Sequence, residues 1–172
     1  METLGRQMFV HGLYGERQLR ETLSDLLIGL VLSPDTIWLV SPWVSDFDLL
    51  DNRSGDWNSV HAAWGARYVM FSELLAAALA SGCQLKLVTK ADEINDRFYE
   101  RLTRHLDGER AIRRVVDEQL HTKGLLTSSF FLAGSMNFTY SGVHRNDERV
   151  RLSIDMEEIS EAKLEFENRY FK

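Results

Sequence analysis

Apolar residues recur at three- and four-residue spacing between positions 16 and 32. Leu19, Leu23, Leu26, Leu27 and Leu30 there mark one face of an amphipathic helix, which Ser33-Pro34 ends. The next run, TIWLV over 36–40, is short, β-branched and aromatic; it reads as a buried strand that breaks at Ser41-Pro42-Trp43. Residues 45–65 lose periodicity, are polar and glycine-punctuated, and predict a long loop beyond the C-terminal end of that strand, a length at which loops are often functional. A second helix, rich in Ala and Leu, follows over 66–81 and stops at Gly82, and QLKLVTK over 84–90 reads as a second strand.

After a helix start near Ala91-Asp92, Ile94, Phe98, Leu102 and Leu106 recur every four residues, giving a third helix that stops near Gly108. A third strand is expected over 111–116. Two apolar runs, 120–126 and 130–133, flank Thr127 to Ser129 and read as a hairpin, followed by a strand over 149–154 and a closing acidic helix over 156–172. Strands alternating with helices and then a hairpin imply an α/β fold with a mixed β-sheet flanked by helices. No internal repeat, low-complexity tract or Pro/Gly/Ser-rich linker divides the chain, so one domain is expected over 1–172.

Composition narrows the function classes. The 172 residues are 44% hydrophobic and 27% charged with two prolines, the balance of an ordinary globular protein with a sizeable core. The first residues lack the basic and long apolar stretches of a secretory signal, the longest apolar stretches are far too short to cross a bilayer, and the single Cys83 can form neither an internal disulfide nor a cysteine zinc site. Cytoplasmic residence without a membrane partner is the expectation, with Cys83 as a small buried hydrophobe. A net charge of −6 argues against a general electrostatic glove for nucleic acid, although Arg97, Arg101, Arg104, Arg110, Arg113 and Arg114 cluster locally, as a solvated face or as one side of a groove.

Chemistry concentrates between Leu120 and Val150. In a strand, residues two apart face one side, so His121 and Lys123 are expected to bring an imidazole and an ammonium into one pocket. Beyond the return strand, Ser135 and Asn137 repeat that spacing, with Gly134 allowing close approach of a ligand. Lys123, Ser135 and Asn137 are donors suited to the nonbridging oxygens of a phosphodiester, whose charge repels anionic nucleophiles, and they need no metal or other cofactor to do this. Imidazole, with an unperturbed pKa of about 6.5, can be nucleophile or proton donor near neutrality, and Glu148 is a candidate acceptor to orient the ring.

The HxK…GSxN pattern resembles the phospholipase D superfamily, and HTKGLLTSSFFLAGSMNFT is similar to its single-motif endonuclease branch. The likeness is specific from Leu120 to Glu148 and extends, through the order of elements, over most of the chain. It implies a phospholipase D-like half-site domain with the nucleophile at His121, the phosphate-binding lysine at Lys123, the serine and asparagine at Ser135 and Asn137, and the orienting glutamate at Glu148. One position departs: the aspartate usual five residues after the lysine, which mainly supports the motif's turn, is Ser128 here.

The family's reaction uses two such motifs, one histidine attacking phosphorus and the other protonating the leaving oxygen. His11, His61, His105 and His144 have no lysine two residues on and no second GSxN occurs, so the resemblance implies a homodimer. It points to a nuclease acting on DNA or RNA, with an association to bacterial DNA-modification or restriction systems, including those that install deazaguanine bases, and to their partner proteins. The competing readings are a phospholipid hydrolase or transferase and a catalytically impaired nucleic-acid-binding subunit of a larger defence complex. Trp43, at a strand end, is a cleft-lining or core residue; Trp57, Trp64 and Tyr68 either stack on bases or pack the long loop down.

Overall fold

The computed structural model describes residues 4–172; residues 1–3, the first of the segment expected to carry no secretory signal, lie outside them. The central element is a seven-stranded mixed sheet in the order β1-β9-β8-β7-β2-β5-β6. Strands β2 (Thr36–Val40), β5 (Gln84–Thr89) and β6 (Ile112–Val116) run parallel. On the other side of β2, β7 (Gly124–Leu126), β8 (Phe131–Gly134), β9 (Glu148–Ser153) and β1 (Gly5–Val10) are joined antiparallel. The mixed α/β fold expected from the alternation of elements is the fold observed.

The strand sequences explain the layering. Successive side chains of β2 point to opposite faces, so Ile37 and Leu39 enter one apolar cluster while Trp38 and Val40 enter a second. The first cluster receives Leu19, Leu23 and Leu27 of α1 (Gly12–Leu32), Leu74 and Leu75 of α2 (Phe71–Ala80), Phe98 and Leu102 of α3 (Glu93–Arg104), and Val143 of the short α4 (Tyr140–His144). The second is closed by Ile159, Phe166 and Tyr170 of α5 (Met156–Tyr170). Glu167 fastens α5 to the sheet: its carboxylate accepts the Trp38 indole N–H at 2.8 Å and pairs with Lys86. No helix among the described residues is long and apolar enough to cross a membrane.

Two parts of the expectation change. Strand β1 was not predicted, although Met8 and Val10 are buried and alternate with exposed Gln7 and Phe9; six residues are too few for that alternation to stand out ahead of a long helix. The supposed loop over 45–65 is an ordered excursion, containing β3 (Asp48–Asp51), which pairs with β4 (Tyr68–Met70), and two single-turn helices at Asp56–Ser59 and Ala62–Trp64. Asn52, wholly buried, holds it: its amide donates to Asn58 and to the Gly65 carbonyl, and its oxygen accepts the Trp57 N–H at 2.8 Å. Because residues 68–70 pair as β4, α2 begins at Phe71 rather than at 66.

The β4–α2 junction rests on Glu73. Its carboxylate takes a two-pronged hydrogen bond from Arg67, at 2.6 and 2.8 Å, and the Met70 N–H at 3.0 Å, satisfying an orphan donor of the helix start. The Arg67 guanidinium holds the Glu73 carboxyl below its ordinary range, against the opposing effect of burial. Glu73→Gln is therefore expected to lower unfolding free energy by about 1–2 kcal/mol at pH 7. Because the folded-state pKa is depressed, that advantage is full above the unfolded value of about 4.3 and disappears as pH falls through the lower folded value. Urea unfolding of both proteins from pH 7 to acid checks this as a gap between midpoints that closes on the acid side.

Candidate active site

The end of the sheet at which β2 and β5 finish is where the candidate residues gather. Val40, the last residue of β2, pairs with Gly124, the first of β7; Gly124 pairs with Ala133, and Gly134, the last of β8, pairs with Val150 near the start of β9. The segments carrying His121-Lys123, Ser135-Asn137 and Glu148 therefore leave or enter the sheet side by side, at the carboxyl end of its parallel strands, the usual place for ligands in such sheets.

His121 and Lys123 do not lie in a strand, contrary to the alternation argument. β7 spans only Gly124–Leu126, and its first residue lies opposite Val40, where β2 ends ahead of Ser41-Pro42. The preceding stretch is instead shaped by Asp117, whose side chain accepts the Gln119 N–H at 2.8 Å and whose carbonyl accepts the Leu120 N–H at 3.1 Å. Buried Leu120 then pins the segment to the α5 side, while His121 projects into solvent. The two residues are still brought together, since the Lys123 ammonium donates to the His121 carbonyl at 2.8 Å and keeps donors to spare.

Glu148 does not stand behind His121 within the chain. It accepts the Ser135 hydroxyl in a short contact and the Asn146 amide at 3.3 Å, and the Ser135 oxygen in turn accepts the Arg149 N–H at 3.0 Å. The Ser135 proton is thus committed to Glu148. Among the described residues the His121 imidazole has no hydrogen-bond partner and is open to solvent. Gly134 serves the chain rather than a ligand: a Cβ there would lie 2.0 Å from the Arg149 carbonyl oxygen, so the glycine lets β9 pass.

Asn137 is positioned by residues that the sequence did not single out. The hydroxyl of wholly buried Ser41 lies 3.4 Å from Asn137 Oδ1 and 2.8 Å from the Trp43 carbonyl, and accepts the Phe138 N–H at 3.3 Å. The segment leaving β2 runs against the one containing Asn137, through the parallel Val44–Phe138 bridge, Ser45 N–H to the Phe138 carbonyl at 3.0 Å, and Tyr140 N–H to Ser45 Oγ at 2.9 Å. With Oδ1 facing Ser41, the Asn137 NH₂ is left as a free donor. Buried Asn95 of α3 braces the same exit from behind, accepting the Val44 N–H at 2.7 Å and donating to the Pro42 and Lys90 carbonyls, both at 2.9 Å. The only advance signal of this arrangement was the Ser-Pro break.

Ser128 is also accounted for. Asp35, just before β2, accepts both the Ser128 N–H at 2.8 Å and the Ser128 hydroxyl, while Thr127 Oγ1 accepts the Ser129 and Phe130 N–H groups at 3.2 and 3.3 Å. The carboxylate that supports the β7–β8 turn comes from another segment.

Five of the six clustered arginines are partnered: Arg97, Arg101, Arg104 and Arg114 pair with Glu93, Asp46, Glu100 and Asp96, and Arg113 lies over the Phe171 ring, while Arg110 is exposed ahead of β6. Trp64 is buried and stacked on His61, and Tyr68 lies under Arg53, so these loop aromatics pack the excursion down. Cys83 is fully buried, and burial pushes its thiol pKa up. Among the described residues no three His, Cys, Asp or Glu side chains converge as a metal cluster.

The family model for the cardiolipin synthase, phospholipase D-like domain matches residues 62–170, more than half of the chain and inclusive of every candidate site residue. The chain belongs to the phospholipase D-like family. No curated protein matches its sequence significantly. Among solved structures, NucT from Helicobacter pylori is 12% identical with a TM-score of 0.61, over 95% of this chain and 93% of that one. Nuc from Salmonella typhimurium, a phospholipase D family member, is 14% identical with a TM-score of 0.58, over 98% and 97%. The archaeal chromatin protein TrmBL2, described as binding DNA in a novel mode, is 11% identical with a TM-score of 0.58, over 95% of this chain and 51% of that one. At these identities the likeness is one of fold.

The Asp35–Ser128 contact gives a prediction particular to this phospholipase D-like chain. Restoring the family's usual residue by Ser128→Asp sets a second carboxylate against Asp35 and is expected to cost about 1–2 kcal/mol, or a few degrees in Tm. Adding Asp35→Asn is expected to recover most of that loss. Thermal unfolding of the two single variants and the double variant checks this; a stabilising Ser128→Asp in the presence of Asp35 contradicts it.

Proposed function

We propose that this chain is a metal-independent phosphodiesterase, a nuclease acting on DNA or RNA, whose active site is completed by a second copy. The observation that carries the proposal is the convergence of His121, Lys123 and Asn137 on one open end of a phospholipase D-like sheet, with unused donors and an unpartnered imidazole. Lys123 and the Asn137 NH₂ take the nonbridging oxygens, where negative charge concentrates as the bond breaks. Ser135, fixed by Glu148, follows β8 at the same end of the sheet.

The reaction runs in two displacements. A neutral His121 nitrogen attacks phosphorus; the P–N bond forms, the bond from phosphorus to the leaving oxygen breaks, and that oxygen takes a proton from the partner's His121. Water then attacks the phosphohistidine, giving its proton to the partner's His121 and releasing His121 and the phosphomonoester. One chain holds one of the two imidazoles this needs, and the exposure of His121 leaves room for the other. A place in a bacterial DNA-modification or restriction system, with partner proteins there and a cytoplasmic site of action, forms part of the same proposal and is supported by the resemblance of the motif.

Purified protein incubated in EDTA with labelled single- and double-stranded DNA and RNA is expected to cleave at least one of them, and His121→Ala to abolish that cleavage while leaving the circular dichroism spectrum unchanged. Substantial turnover by His121→Ala removes the residue from the nucleophile role. Binding without turnover by a wild-type dimer transfers the reading to a binding subunit.

Mixing tests the shared site separately. When wild type and His121→Ala are unfolded and refolded together, activity is expected to fall as the square of the wild-type fraction, because a dimer with one His121 lacks either the nucleophile or the acid. A linear fall means that each chain works alone.

A further inference from the structure

Trp43 is the most exposed of the four tryptophans. Trp38 and Trp64 are 3% and 2% exposed, as apolar anchors are, whereas Trp43 is 39% exposed at the rim of the candidate site. Its ring is fixed by a polar contact: the indole N–H donates at 3.2 Å to Asp92, whose other oxygen accepts the Ile94 N–H at 2.9 Å and caps α3. The backbone on both sides is tied down by Ser41 and Asn95, through the Trp43 carbonyl, the Pro42 carbonyl and the Val44 N–H. An exposed aromatic ring held this firmly loses little further freedom when something stacks on it.

Its neighbours indicate what that would be. One hydroxyl, that of Ser41, touches both the Trp43 carbonyl and Asn137 Oδ1, so the backbone that carries the ring adjoins the proposed phosphate donor. The Lys90 ammonium lies 5.5 Å from the ring centroid, on a flexible stem that leaves β5 one strand over, about 4.8 Å along the sheet. The nearby carboxylates are occupied, Asp92 by the indole and the helix start and Glu118 by the Ala91 N–H at 3.1 Å.

We infer that Trp43, with the mobile-stemmed Lys90 over its ring, is a subsite that stacks an unpaired base of a single-stranded nucleic acid next to the phosphodiester held at Asn137 and Lys123. The inference rests on the nuclease reading and specifies its substrate. Duplex bases are already stacked on one another, so only an unpaired base offers a face to the indole, and every base has such a face, so no sequence preference follows. With a net charge of −6, affinity at this subsite comes from stacking more than from released counterions.

The test measures binding by fluorescence anisotropy in the non-cleaving His121→Ala protein, using labelled single-stranded deoxy- and ribo-oligonucleotides, the matching duplexes, and a strand of equal length made wholly of abasic sugar-phosphate. Adding Trp43→Ala is expected to weaken single-strand binding about tenfold, leaving duplex and abasic binding and the salt slope unchanged. Trp43→Phe is expected to recover most of the loss, and Lys90→Ala to lower the salt slope. Equal weakening on the abasic strand, or no recovery by Phe, reduces Trp43 to a prop for its loop and overturns the subsite. Single-strand binding undiminished in Trp43→Ala overturns it too, with the nuclease reading intact. Failure of the parent protein to bind any strand overturns both.

Discussion

The end of β2 is the constraint on which the rest of the site depends. β2 is where the sheet changes sense, with β5 parallel on one side and β7 antiparallel on the other, so the way the chain leaves it bears on both neighbours. Pro42 has no N–H to offer a continuing ladder, and the chain must leave the sheet there. A buried exit of this kind exposes backbone polar groups away from water, and each needs a partner. Ser41 and Asn95 supply several of those partners, and the groups they satisfy include the segment that carries Asn137. Satisfying the exit and aiming the Asn137 amide are therefore one event. β7 begins opposite that same end of β2, with His121 ahead of it, outside the ladder.

How much of this the sequence disclosed depends on the range of the physics involved. The helix face of α1, the TIWLV strand and the stripe of α3 were legible because burial against a sheet selects apolar residues at a fixed period, a local signal. The motif was legible because His121, Lys123, Ser135, Asn137 and Glu148 are close in sequence and their residue types state their chemistry. Ser41, Asn95 and Asp35 were not, since their roles are contacts with segments far along the chain: Ser41 with Asn137, Asn95 with Val44, and Asp35 with Ser128. A buried asparagine on a helix looks like any polar position until the strand end that it braces is folded against it. The excursion containing β3 and β4 was misread for a related reason, because its order comes from Asn52 and from pairing across some twenty residues rather than from periodicity.

Ser128 shows how a departure from a family pattern can be absorbed. What the turn requires is an acceptor for the Ser128 N–H, and a carboxylate is a strong one. Asp35 delivers it from the loop entering β2, and its other oxygen accepts the Thr36 N–H, tying the turn of the β7–β8 hairpin to the start of β2. The missing aspartate therefore argues less against a working site than the sequence suggested, because the contact it would make is present with the partners exchanged.

The acidic net charge is compatible with a phosphodiester substrate once the partner of each cation is considered. Arg97, Arg101 and Arg104 of α3 and Arg114 of β6 sit against carboxylates, which offsets their charge locally. At the active end the cations rest on neutral groups: Lys90 over the Trp43 ring, Lys123 on the His121 carbonyl, Arg145 over Tyr140, and Arg149 over Phe9 and against Gln7. A neutral partner positions a cation without cancelling it. By the same rule Asp92 and Glu148, held by neutral donors, keep their charge as well, so this end of the sheet sets free cations beside free carboxylates. On the proposed reading, stacking at Trp43 rather than a net positive field decides which phosphodiester stays.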